Sequence, residues 1–314
     1  MQFQEWKYIP LVSRIRPRKA APYPPRGASC KELPVSRFAI PSSVDTHAHV
    51  FERGLPMPAA RRYAPTQDAT LAQYLAQLDL HGVAHGVLVQ PSFLGTDNSY
   101  MLQALQAAHG RLRGVAVVDA SASAQHLDAL ASAGIDGLRL NLVGLPLPEL
   151  ASPGWARVLE QANALGWHVE LHLEAARLQG IVPSLLAAGC RVVVDHFGRP
   201  DPALGVDDPG FGFLLRQAAS GQVWVKLSAA YRNGPAADGA AWGRRAAAQL
   251  LDAYTAERLL WGSDWPHTQH GDQASYAQAV QWLGDWLDDA AHVRTVLADT
   301  PRQLFRFTTQ GDTP

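Results

Sequence analysis

Short β-branched runs alternate with longer segments of helical period from residue 43 onward, and this alternation restricts the fold more than any other feature of the chain. The runs are VDTHAHV (44–50), HGVLVQ (85–90), RGVAVV (113–118), IDGLRLNL (135–142), WHVELHL (167–173), RVVVDH (191–196), VWVKLS (223–228) and LLWGSDW (259–265). Branching at Cβ suits the pleated strand, and nearly continuous apolar runs suit strands covered on both faces. The segments between them are rich in alanine and leucine, and several end in glycine, the residue that takes the left-handed turn closing a helix. DATLAQYLAQLDLHG (68–82) is one such segment, with Asp68 the expected N-cap and Gly82 the stop. Eight strand–helix units in succession predict an α/β protein, a (β/α)8 TIM-type barrel over residues 43–314 with no internal boundary. A doubly wound open sheet is excluded on one point: no GxGxxG turn follows the first run.

Residues 1–42 read differently. IRPRKAAPYPPRG is basic and proline-rich, the composition of an extended arm, and leaves open a surface strap, a contact to a second copy of the chain, or disorder. The whole chain is 47% hydrophobic and 18% charged with a formal net charge of −1, so no global field draws it to nucleic acid or to an anionic membrane. Any charged substrate must be held by local groups. Cys30 and Cys190 are the only cysteines and lack metal or redox spacing, which predicts two reduced thiols. With no apolar run of about 18 residues and no secretory leader pattern, a cytoplasmic location is expected.

Catalytic groups of such barrels gather at the C-terminal ends of the strands. Those ends carry His47 and His49, Arg139 with Asn141, His172, His196 and Asp264. One histidine at a strand end is more often a hydrogen-bonded core residue than a ligand. Four histidines and an aspartate converging on one end of one barrel are harder to explain that way. Neutral imidazole and carboxylate are good ligands for zinc-like divalent ions, which acidify a bound water. An aspartate on the last strand is placed to accept its proton.

VDTHAHVF, VDHFGRPD and LLWGSDWPH, taken with RRYAPTQDAT, VQPSFLGTDN, GIDGLRLNLV, GWHVELHLEA and RQLFRF, resemble the amidohydrolase superfamily. The branch is that of the 2-pyrone-4,6-dicarboxylate lactonases and 4-sulfomuconolactone hydrolases, and the likeness runs from about residue 43 to 307. The resemblance implies hydrolysis of a small anionic lactone, of pyrone dicarboxylate, muconolactone, sulfomuconolactone or sugar-acid type. It implies that Asp264 activates water and that His196 polarises the lactone carbonyl. It also implies substrate contacts from Tyr63, Ser92, Arg139, Arg199 and Arg232. Arginine grips acidic oxygens in a bidentate fork, although a surface salt bridge is the plainer use of each arginine.

Three departures modify the expectation. The pyrone lactonases work without a bound metal and have tyrosine where this chain has His172. Other members of the superfamily hold zinc with the first-strand pair, a strand-five histidine and the strand-eight aspartate. His172 therefore implies one divalent metal, zinc by preference, on His47, His49, His172 and Asp264, with the metal-free mode of the pyrone lactonases as the alternative. Secondly, a basic residue after the fourth strand is replaced by Gly144, Leu145 and Pro146, which removes an anion anchor. Thirdly, Thr300 replaces an asparagine expected to cap the last helix. Two other readings remain in view: non-oxidative decarboxylation of an unsaturated acid at a similar metal site, and a barrel that binds without catalysing.

Overall fold

The structure, a computed structural model, describes residues 40–234 and 239–307, all within one compact unit, Ser36–Pro314. Nearly all of the expected basic arm, with Cys30, lies outside the described residues. Every expected strand is present: β1 (Val44–Ala48), β2 (His85–Val89), β3 (Leu112–Ala116), β4 (Ile135–Asn141), β5 (His168–His172), β6 (Arg191–Val194), β7 (Val223–Ser228) and β8 (Leu259–Gly262). They form one sheet in the order β1 to β8, each parallel to the next, with helices between them. The architecture is the (β/α)8 barrel. Most strands end sooner than their hydrophobic runs. His49, His196 and Asp264 consequently sit on the first residues beyond their strands, where the chain has left the ladder.

Helix α1 (Leu71–His81) is capped by Thr70, not by Asp68. The Thr70 hydroxyl accepts from the Gln73 amide at 3.4 Å, and the Gln73 side chain accepts from the Thr70 amide at 2.8 Å, a reciprocal capping box. Asp68 lies too early because the chain is still extended there. Ala69 and Phe51 exchange backbone hydrogen bonds at 2.8 Å, and Asp68 accepts from the backbone and side chain of Arg53. Near the C-terminus, the helix Ala290–Arg294 runs through a π-turn into the helix Thr300–Leu304. Thr300 opens this last helix, and its hydroxyl donates to the Ala256 carbonyl at 3.2 Å, so it ties the helix to the barrel and does not cap it.

Strand alternation divides the apolar residues between two places. Outward residues such as Leu88, Leu138, Leu171 and Leu227 pack under the helices. Inward residues Val87, Val115, Val193 and Leu260 fill the lower barrel, which Phe305 and Phe307 close from below. No helix among the described residues is long and apolar enough to cross a membrane.

The barrel closes along a seam between β1 and the end of β8. The Thr46 hydroxyl donates to the Trp261 carbonyl at 2.7 Å, the Asp264 amide to the His47 carbonyl at 2.8 Å, and the His49 amide to the Trp265 carbonyl at 2.8 Å. Buried Asp45 clamps the same seam, accepting from the Ser263 amide and hydroxyl at 2.8 and 2.6 Å and from the Tyr74 hydroxyl at 3.1 Å. Gly262 permits the close approach, because a Cβ there would lie 2.5 Å from the His47 Cβ. Replacing Gly262 by alanine must push β1 away from β8. The expected result is a stability loss of about 1–3 kcal/mol in urea unfolding, the usual cost of overpacking, with a larger proportional loss of turnover because His47 moves.

Candidate functional site

The seam brings His47, His49 and Asp264 together, and the end of β6 adds His196. The Asp264 carboxylate is divided in its duties. Its Oδ2 accepts from Arg232 Nε at 2.8 Å and, in a short contact, from the Tyr231 hydroxyl. Its Oδ1 is buried without a hydrogen-bond partner and faces three imidazoles, with Nε2 of His49, His47 and His196 at 3.6, 3.7 and 3.8 Å. Burial by itself would raise the Asp264 carboxyl, but Arg232, His196, His49 and His47 together outweigh it and hold the group well below the usual carboxylate range. Burial pushes His47 well below the ordinary imidazole value and His196 down to about 3. Near neutral pH the centre therefore sets a carboxylate against the uncharged rings of His47 and His196. Both Asp264 (φ 59°) and His196 (φ 52°) occupy the left-handed region, which costs non-glycine residues on the order of 1–3 kcal/mol. Strain of this kind persists where the surroundings over-determine a functional placement.

Below lies a layer of buried charge that inspection of the strand ends missed. Lys226 contacts the Glu170 carboxylate closely and sits 3.4 Å from Asp195 and 3.0 Å from Nδ1 of His47. Arg139 pairs with Asp195 at 2.9 Å and with Glu170 at 3.4 Å. Two cations and two carboxylates balance, and the layer supports His47 from beneath. Burial, then the neighbouring Asp195 charge, raise Glu170 to about 7. For Asp195 burial is outweighed by His47, Lys226 and Arg139, so its carboxyl falls well below the usual range. The available signal was strand period: Glu170 is two residues before His172, and Lys226 two before Ser228, so each charge points into the barrel.

All the candidate catalytic, metal-ligating and substrate-binding residues, His47 excepted, line one cavity of about 170 Å³ at the C-terminal end of the barrel. Their duties differ from the expectation in three places. His172 does not join the ligand group. Its Nδ1 lies 3.2 Å from Arg139 and its Nε2 3.5 Å from Arg199, so guanidinium groups, which only donate, stand at both nitrogens. Arg139 belongs to the buried charge layer, and Arg232 is engaged by Asp264 and by the Thr268 carbonyl at 3.4 Å. Arg199 alone of the three expected anchors forms no ion pair with a carboxylate among the described residues. Tyr63 and Ser92 reach the cavity from the loops after β1 and β2. Arg62 lines it as well, and the only hint in the sequence was the second arginine of RRYAP.

The donor atoms fit a small divalent cation. His47, His49 and Asp264 have ligand atoms all within 4.8 Å of one another, and His47, Asp195 and His196 form a second such group. His49 Nδ1 lies 2.7 Å from the Val89 carbonyl, which can only accept, so Nδ1 donates there and Nε2 is the nitrogen turned toward Asp264 Oδ1. The orphaned Nε2 of His47 and Oδ1 of Asp264 are two further donors that a cation satisfies.

A protein-family model described as amidohydrolase matches residues 44–307. The chain is 34% identical to a 2-pyrone-4,6-dicarboxylate hydrolase of Comamonas testosteroni over 86% of its own length and 92% of that protein's. It is 31% identical to a 4-sulfomuconolactone hydrolase of Rhizobium radiobacter over 92% and 98% of the two chains. Among solved structures, an Acinetobacter baumannii protein provisionally named a 2-pyrone-4,6-dicarboxylic acid hydrolase, with citric acid bound, is 39% identical with a TM-score of 0.82. That match covers 85% of this chain and all of the other.

Removing one member of the buried charge layer leaves a charge unbalanced. Lys226→Met is expected to cost about 3–5 kcal/mol of unfolding free energy. Adding Glu170→Leu restores the balance, and the double variant is expected to regain more than half of that loss in the same denaturation measurement.

Proposed function

This chain belongs to the amidohydrolase family, and on that premise we propose that it is a lactonase, opening a small anionic lactone by attack of an activated water on the ring carbonyl. One observation carries the reading: Asp264 Oδ1 is a buried carboxylate oxygen with no hydrogen bond, ringed by imidazole nitrogens, where reacting atoms enter. The hydrolase names of the relatives that match over most of their length support it, as does the citric acid bound in the Acinetobacter structure.

The residues divide the work. Arg199, half-buried and without a carboxylate partner among the described residues, holds an acidic group of the substrate. Asp264 Oδ1 takes a proton from water as the water oxygen bonds to the lactone carbonyl carbon. We assign His196 the tautomer in which Nδ1 accepts from the Ser228 hydroxyl, 2.8 Å away, and Nε2 carries the proton that is donated to the carbonyl oxygen as charge develops there. The bond from carbonyl carbon to ring oxygen then breaks, and Asp264 returns the proton to the leaving oxygen. Arg232 and Tyr231 keep Oδ2 occupied, so only Oδ1 exchanges protons. The products are a hydroxyl group and a carboxylic acid, which loses its proton to solvent to become the carboxylate.

One divalent cation, zinc by its nitrogen and oxygen donors, would be held by His47, His49 and Asp264. When bound, such an ion supplies a Lewis acid that polarises the carbonyl and acidifies water.

Asp264→Asn keeps the shape and removes the base. Turnover of an acidic lactone is expected to fall by about 10²–10⁴-fold, with an unchanged circular dichroism spectrum and acid release without carbon dioxide in the parent enzyme. Near-normal turnover in the folded variant would sink the assignment. Elemental analysis is expected to find about one metal equivalent, and chelation to slow hydrolysis. Full activity in metal-free protein would remove the cation from the reading and leave Asp264 and His196 in place.

A further inference from the structure

Arg62 is a cation at the cavity that the steps above leave unused. It follows Arg61 in the loop between β1 and α1, and the two neighbours part company. Arg61 donates to the Pro58 carbonyl of its own loop at 2.9 Å. Arg62 reaches across the mouth to Asn141 Oδ1 at the end of β4, at 3.2 Å, and to Ser92 Oγ after β2, at 3.4 Å. Both partners are neutral, and among the described residues Arg62 forms no ion pair with an aspartate or glutamate. Its aim is set by the next residue. The Tyr63 ring packs edge-on against Phe93, with centroids 5.3 Å apart, and Phe93 against Phe51 at 4.9 Å. That apolar anchor fixes the loop and leaves the neighbouring guanidinium over the cavity.

Arg199 stands on another side, from the end of β6 against His172 of β5. The cavity thus carries two guanidinium groups without acidic partners, approaching from different strands. Their charges repel across a space of about 170 Å³, well under the roughly 300 Å³ of an ordinary ligand cleft. Protein carboxylates neutralise the other two cavity arginines, Arg139 and Arg232. A small ligand bearing two separated acidic groups satisfies the remaining pair together, while one with a single group leaves a cation uncompensated.

We propose that Arg62 is the specificity-determining residue for a second acidic group, so that the enzyme selects lactones with two such groups over those with one. The proposal rests on the reading of this cavity as an anionic lactone site. Its test uses binding alone, so that it stands or falls apart from hydrolysis. Benzene-1,3-dicarboxylate and benzoate, neither of which can be hydrolysed, are titrated calorimetrically into the full-length parent, Arg62→Gln, Arg62→Lys and Arg61→Gln. The parent is expected to prefer the dicarboxylate. Arg62→Gln is expected to weaken it by about 10–100-fold, the size of one charge-assisted contact, and to change benzoate by less than about threefold. Arg62→Lys is expected to fall between, and Arg61→Gln to match the parent. Melting curves equal to the parent's confirm that the variants are folded. Equal losses for both ligands, undiminished dicarboxylate binding in Arg62→Gln, or no dicarboxylate binding by the parent would each overturn the proposal. A parent that binds the dicarboxylate through Arg62 yet opens no lactone would overturn the lactonase reading alone.

Discussion

The hydrogen bond from the Asp264 amide to the His47 carbonyl joins the last strand to the first. Closing the barrel and assembling the site are therefore one event. Without that seam, the first-strand histidines and the last-strand aspartate are separated by more than two hundred residues of chain. With it, Asp264 Oδ1 lies within 3.8 Å of three imidazole nitrogens. Asp45, Ser263 and Gly262 serve the reacting residues indirectly by holding this seam together. Parallel strands contribute no local turn to bring such groups near, so the barrel's circular order does the work.

The second constraint is charge. A buried carboxylate is tolerated only when opposite charge or hydrogen bonds compensate it. Asp264 receives that compensation on one oxygen, from Arg232 and Tyr231, and is left exposed to chemistry on the other. Beneath it, Arg139, Lys226, Glu170 and Asp195 compensate one another and hold His47 from below. Above it, Arg62 and Arg199 have no such partners among the described residues. Balanced charge supports the floor of the site, and unbalanced positive charge faces the space a substrate fills.

Much of this was legible in the chain. The barrel followed from the period of its eight hydrophobic runs, because strands buried on both faces need apolar residues nearly throughout. The convergence of His49, His172, His196 and Asp264 on one cavity followed from their places at strand ends. The role expected for His172 was less secure. Position alone brought it to the cavity, but guanidinium groups from β4 and from the loop after β6 stand against both its nitrogens, and a neutral ring accepts from only one of them. The N-cap of α1 was misplaced for a similar reason, since the pairing of Ala69 with Phe51 holds the chain extended past Asp68.

By itself, the sequence determined the order of strands and helices and the set of chemical groups at the mouth of the barrel, since periodicity and residue type are local properties. Only the tertiary structure decided which arginines are engaged by protein carboxylates, which oxygen of Asp264 stays bare, and that Arg62 reaches the cavity. Those outcomes depend on distances of 3–4 Å between residues far apart in the chain, and electrostatic compensation at that range is set by packing.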